Sequence, residues 1–83
     1  MRPLYEIAEE IERDCGTKQW YVYAEAYVTP MKSLDSLNDM YYEDSARSIV
    51  SYALANLTYW RGDTARRVKA ELNSMLKAKE VSA

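Results

Sequence analysis

The chain contains no histidine and a single cysteine, Cys15. The commonest general base and the commonest neutral metal ligand are therefore missing. A Cys–His nucleophile and a Ser–His–Asp triad are excluded, and so is a zinc site of cysteine and histidine. Two isolated glycines, Gly16 and Gly62, make no phosphate-cradling loop. Carboxylates are plentiful, and Glu6 and Glu10 share a helix face at i, i+4. A carboxylate-bound metal would need further oxygen ligands from other helices, and the pattern requires none; a solvated acidic face accounts for it. The expectation is a non-enzymatic protein with no cofactor and no metal.

Two groups of side chains have the chemistry to bind rather than to react. The first is aromatic. Eight tyrosines and two tryptophans occur without one phenylalanine. A protein building only a core has no reason to prefer Tyr throughout. Tyr suits sites that are apolar at one end and wet at the other, including interfaces. Ser48, Ser51, Tyr52, Ala55, Thr58 and Tyr59 fall together on a helical wheel, with Asn56 at the border. After Arg47 this stretch is uncharged up to Trp60. A solvated helix face normally carries Lys and Glu. This one is either packed on two sides within the monomer or a binding surface. The second group is basic. Arg66, Lys69 and Lys77 form a row along the last segment, with Arg61 and Arg67 nearby, and such a row can contact phosphates. Against it stand a sequence pI of about 5.1 and the absence of a helix-turn-helix signature. A solvated basic face is the simpler reading. Arg61-Gly62-Asp63 spells an adhesive tripeptide, but a helix stop followed by a helix start explains it.

Four amphipathic segments would position these groups. In the first, Pro3 to Cys15, the residues Leu4, Ile7, Ala8, Ile11 and Cys15 make one stripe, and Gly16 is expected as a left-handed terminator. In the second, Trp20 to about Ser36, strand-forming Trp-Tyr-Val-Tyr competes with a helical stripe of Trp20, Tyr23, Ala24, Tyr27, Met31 and Leu34. Pro30 should kink or break it, or else Thr29-Pro30 starts a separate short helix. Residues 35–44 read as a connection with one helical turn at most. The third helix starts on an Asp44 or Ser45 cap, buries Ala46, Ile49, Val50, Ala53, Leu57 and Trp60, and stops at Gly62. Asp63 is expected to cap the fourth, where Ala65, Val68, Leu72, Met75 and Leu76 face inward. The fold class is all-α, a compact bundle of three to four short amphipathic helices forming one domain over 1–83.

The chain of 83 residues is long enough for one domain, and its composition is globular. No apolar run is long enough to cross a bilayer, and no secretory leader is visible. A lone cysteine fits a reducing compartment, so a cytoplasmic location is expected. Residues 1–44 carry a net charge of −6 and residues 45–83 a net +4. Acidic and basic helices packed side by side explain this more simply than head-to-tail association or an acidic partner.

Leu4-Tyr5-Glu6-Ile7-Ala8, the block Met31 to Asp39 followed by Asp44 to Val50, and Trp60 to Arg67 with Lys69 to Leu72 together resemble a family of small uncharacterised helical proteins of bacteriophages and mobile elements. The likeness is one of pattern and transfers no residue role. It implies a context, since short phage-borne proteins are often non-enzymatic binders of host machinery. The leading expectation is thus an interaction protein that binds a host protein within the host cell, with an antiviral defence nuclease as the foremost candidate (an anti-CRISPR-like role). Its docking residues would be Ser48, Ser51, Tyr52, Ala55 and Tyr59. The alternatives are a nucleic-acid-binding accessory protein using Arg61, Arg66, Arg67, Lys69 and Lys77, or a structural homodimer joined through the Tyr/Ser face.

Overall fold

A computed structural model describes residues 2–82, with side chains up to Lys77. Its elements are α1 (Leu4–Cys15), α2 (Tyr21–Met31), a two-residue pair of strands β1 (Met40–Tyr41) and β2 (Asp44–Ser45), α3 (Ala46–Ala55) and α4 (Asp63–Ser82). The helices close a ring in which α1 touches α2 and α4, and α3 touches the same two. The α2–α3 packing is the most extensive. The fold is an all-α bundle with a minimal hairpin.

The first helix forms as its stripe dictates. Leu4, Ile7, Ala8, Ile11 and Cys15 are all fully buried. Its exposed first amides are satisfied from elsewhere in the chain: Leu4 N–H donates to the Asp35 carbonyl and Tyr5 N–H to that of Leu34, both at 2.9 Å. This ties the start of α1 to the segment after α2. Gly16 does not take the expected left-handed conformation. It continues right-handed, at φ −63° and ψ −21°. Glycine is favoured there by proximity, because a Cβ would lie 2.5 Å from the Glu12 carbonyl oxygen. The positive φ belongs instead to Gly62, at 111°.

The second helix is real, but its phase differs from the expected stripe. Tyr21, Ala24, Val28 and Met31 face the core, followed by Leu34 beyond the helix end. Tyr23 is exposed, while Trp20 and Tyr27 are half-buried at the margin. Nearly every side of this segment is apolar or aromatic, so hydrophobicity alone could not phase it. Pro30 neither splits the helix nor starts a new one. It occupies the last turn, where the bond it forgoes belongs to the exposed residue Ala26, and the chain leaves through tight turns from Lys32 N–H to Thr29 O and Ser33 N–H to Pro30 O.

Residues 35–45 hold a hairpin rather than only an irregular connection. Met40 pairs with Ser45 and Tyr41 with Asp44. The Asp39 carboxylate accepts from the Asp35 and Ser36 amides, at 2.7 and 3.2 Å, and fixes the approach. Ser45 then caps α3 as expected, accepting from Ser48 N–H at 3.1 Å. The third helix ends at Ala55, well before Gly62. The Asn56 side-chain amide donates to the Tyr52 carbonyl at 2.8 Å and helps close the last turn. Leu57 and Trp60 are nevertheless buried, carried inward by successive turns from Leu57 N–H to Leu54 O and Trp60 N–H to Leu57 O. Asp63 opens α4 as its first helical residue, with its carboxylate on Arg66 at 2.6 Å rather than on a backbone amide. Ala65, Val68, Leu72 and Met75 are buried, and Leu76 packs against the core's edge.

Among the described residues no helix is long and apolar enough to cross a membrane.

Candidate functional site

The exposed surface of α2 and α3 forms one aromatic face. The two helices run antiparallel, so each end of the face combines the start of one with the end of the other. At one end the Trp20 and Tyr59 rings lie 6.4 Å apart between centroids. In the middle Tyr27 and Tyr52 pair at 5.5 Å, tilted by 31°. At the other end Tyr41 and Tyr42 meet edge-on at 4.7 Å. Beside the central pair lies a pocket of about 230 Å³ bounded by Tyr27, Pro30, Tyr41, Asp44, Ser48 and Tyr52. A shallower cleft of about 460 Å³ at the Trp20 end runs between Val22, Tyr23 and Tyr59.

The helical phases explain this arrangement. In α2, burying Tyr21, Ala24 and Val28 turns Tyr23, Ala26, Tyr27 and Pro30 toward the side occupied by α3. In α3, burying Ala46, Ile49, Val50 and Ala53 turns Ser48, Ser51, Tyr52 and Ala55 outward. Tyr52 is 57% exposed and Tyr23 and Tyr59 are each 69% exposed, so the face is not packed within the monomer. Ser48, Ser51 and Ala55 are exposed as well. Thr58 and Tyr59 lie in the turn after α3, and Tyr59 reaches the face by its contact with Trp20. Sequence reasoning grouped the α3 half of this surface and left open whether it is packed or exposed; the structure exposes it. The same reasoning missed Trp20, Tyr23, Tyr27, Tyr41 and Tyr42, because the first three were assigned to the core and the hairpin was not foreseen.

Tyr42 adds a backbone signal. It sits at the hairpin tip with φ at 56° and is 87% exposed. For a bulky non-glycine residue this left-handed conformation costs roughly 1–2 kcal/mol. The Tyr41 ring supports it from the side.

The basic row is divided among other tasks. Arg67 pairs with Glu10 of α1. Arg66 pairs with Asp63. Lys69 is half-buried and donates to the Trp60 carbonyl at 2.7 Å, holding the turn before α4; burial and the nearby Arg61 charge push its pKa down. Arg61 and Lys77 remain exposed. Arg61, Arg66 and Lys69 border one cleft of about 290 Å³ beside Trp60 and Gly62, while Arg67 turns to Glu10 and Lys77 lies apart, so the five do not form a single row. The acidic first half meets the basic second half in the Glu10–Arg67 pair between α1 and α4, and Arg2, just ahead of α1, adds to it by bridging Glu10 at 2.8 Å and Glu71 at 2.7 Å. Arg67, against burial and aided by Arg2, holds the Glu10 carboxyl below its usual range. Glu6, its i, i+4 neighbour, stays exposed.

Cys15 is buried, its thiol 2.9 Å from the Ile11 carbonyl and pushed up to about 11 mainly by burial. It stays a thiol at neutral pH and has no path to solvent. Among the described residues no three His, Cys, Asp or Glu side chains converge as a metal site.

No family model, curated protein or solved structure matches the chain.

Proposed function

We propose that this protein acts by binding another protein through the α2–α3 aromatic face, without catalysing a reaction. One observation carries this reading: a continuous, nearly charge-free surface of tyrosines stands exposed where solvated helices normally carry Lys and Glu. Tyrosine supplies large contact area at low conformational cost, and interface energy concentrates in such anchors. The exposed Tyr42 ring at the hairpin tip extends the same surface. The resemblance to phage-borne families makes a host protein the candidate partner, and a defence nuclease the specific candidate to test first. The engagement of Arg67 by Glu10 and of Lys69 by the Trp60 carbonyl shortens the basic row and weighs against the nucleic-acid alternative.

The test combines affinity capture from nuclease-treated host lysate with thermal melts of the same variants. Tyr52→Ala and Tyr59→Ala should each lower affinity for the captured protein at least about thirtyfold, the equivalent of about 2 kcal/mol. Ala55→Lys should do the same by clash and desolvation. Melting temperatures should stay near that of the parent, because all three positions are exposed. Binding losses that merely follow loss of fold would sink the reading, as would capture abolished by nuclease.

A further inference from the structure

The ends of the α2–α3 face carry opposite charge. Beside Trp20 and Tyr59 stand Lys18 and Arg61. Asp14 is also there, with its carboxylate engaged by the Trp60 indole N–H at 2.6 Å. At the far end Asp44 borders the central pocket and Glu43 precedes it at the hairpin tip, both exposed. The face is therefore basic at one end, aromatic in the middle and acidic at the other. A surface of this kind complements itself when a second copy is turned by 180° about an axis through its centre. Each copy's Lys18 and Arg61 then meet the other's Glu43 and Asp44.

Shape follows the same symmetry. The Tyr27–Tyr52 pair lies at the centre. Tyr23 protrudes one helical turn from Tyr27 toward the basic end, 69% exposed. The pocket of about 230 Å³ lies toward the acidic end, beside Pro30, about one turn from Tyr27 on the other side. A two-fold axis through the central pair carries Tyr23 of one copy onto the pocket of the other. The tyrosines supply more than half of the area a dimer needs. A tyrosine ring brings roughly 150–250 Å² to a contact, so Tyr23, Tyr42, Tyr52 and Tyr59 at their exposures offer roughly 400–700 Å². A standard interface buries about 800 Å² per partner.

We propose that a second copy of this chain occupies the α2–α3 face, in a two-fold dimer centred on Tyr27 and Tyr52, with Tyr23 seated in the partner's pocket and the basic and acidic ends paired. The proposal rests on reading the face as a docking surface. A heterologous partner reaches the same face by displacing the second copy.

Sedimentation equilibrium of the purified chain from about 1 µM to about 1 mM reads the association constant. The parent should dimerise within that range. Tyr23→Ala should weaken the dimer at least about thirtyfold. Lys18→Glu and Asp44→Lys should each weaken it about tenfold, because two-fold symmetry doubles every reversed contact. The double variant Lys18→Glu with Asp44→Lys should regain most of the parental affinity, an outcome no folding defect produces. Circular dichroism of each variant checks that helicity is retained. A chain that stays monomeric to about 1 mM overturns the dimer; the docking reading survives that result if Tyr52→Ala still releases a heterologous partner, and falls with it otherwise. A dimer indifferent to Tyr23→Ala, or one the double exchange fails to restore, overturns this geometry.

Discussion

The α1–α4 side and the α2–α3 side of this bundle solve the problem of a helix surface in opposite ways. On the first, Arg2, Glu10, Arg67 and Glu71 link across the helix boundary, so the charged groups are paired and partly covered. On the second, tyrosines take the corresponding positions and find only one another. Charge on a helix surface is answered by water and by opposite charge, and needs no further partner. An exposed ring has a large apolar area that water does not answer. The two sides therefore teach which surface is finished and which awaits an occupant. Of the basic residues that look like a binding row in one dimension, only Arg67 takes part in finishing the first side.

Three measurements test that contrast. The largest effect is expected in the core that both sides share. Leu72 is fully buried on α4, and Leu72→Ala should lower stability by roughly 2–5 kcal/mol in denaturant unfolding. Loss of dimer or partner binding should then appear only as far as the fold is lost. A Leu72→Ala variant as stable as the parent would contradict the packing.

The charged side should respond next. Glu10→Gln removes the carboxylate that Arg2 and Arg67 share and should cost about 1 kcal/mol, as expected for a partly screened network. Its pH signature has a definite sign. The folded pKa of Glu10 lies below the usual 4.5, so its contribution is present above that pH and fades as acid titrates through the lower folded value. Acid unfolding of Glu10→Gln should accordingly be shallower below about pH 4.5. Docking through the α2–α3 face should be unaffected, and a binding defect in this variant would blur the division between the two sides.

The smallest effect is also the most discriminating. Tyr42→Gly relieves a left-handed backbone at the hairpin tip, while glycine adds freedom to the unfolded chain. The net gain in stability should be about 0.5 kcal/mol. The same change removes an 87% exposed ring from the face and should weaken docking. Stability rising while binding falls would mark Tyr42 as held in strain for a partner. A binding constant unchanged by Tyr42→Gly would remove the hairpin tip from the interface.

Much of the architecture was legible in the residues themselves. Where polar and apolar positions alternate clearly, as in α1, α3 and α4, the periodicity identifies the buried stripe almost residue by residue. The α3 half of the face was legible for the complementary reason, since the wheel opposite a clear stripe can be read with it. Where the contrast vanishes the reading fails. Residues 20–31 are apolar or aromatic on nearly every side, so the stripe took in Tyr23, which is exposed, and passed over Tyr21, which is buried. Only α1 and α3, closing on the two flanks of α2, decided between them.

The same division separates sequence from tertiary structure in the chain as a whole. Composition alone excluded histidine-based chemistry and cysteine–histidine metal sites, because a missing side chain cannot be supplied by folding. Local pattern alone determined the buried faces of α1, α3 and α4, because amphipathic period acts within each segment. The remaining contacts join residues far apart in the chain and arise from its packing. Glu10 and Arg67 neutralise each other across 57 positions, Trp60 donates to Asp14 across 46, and Tyr27 meets Tyr52 between two helices. The fate of a charge or a ring is set by what packs beside it, and that neighbour is chosen by the bundle's topology rather than by the adjacent sequence.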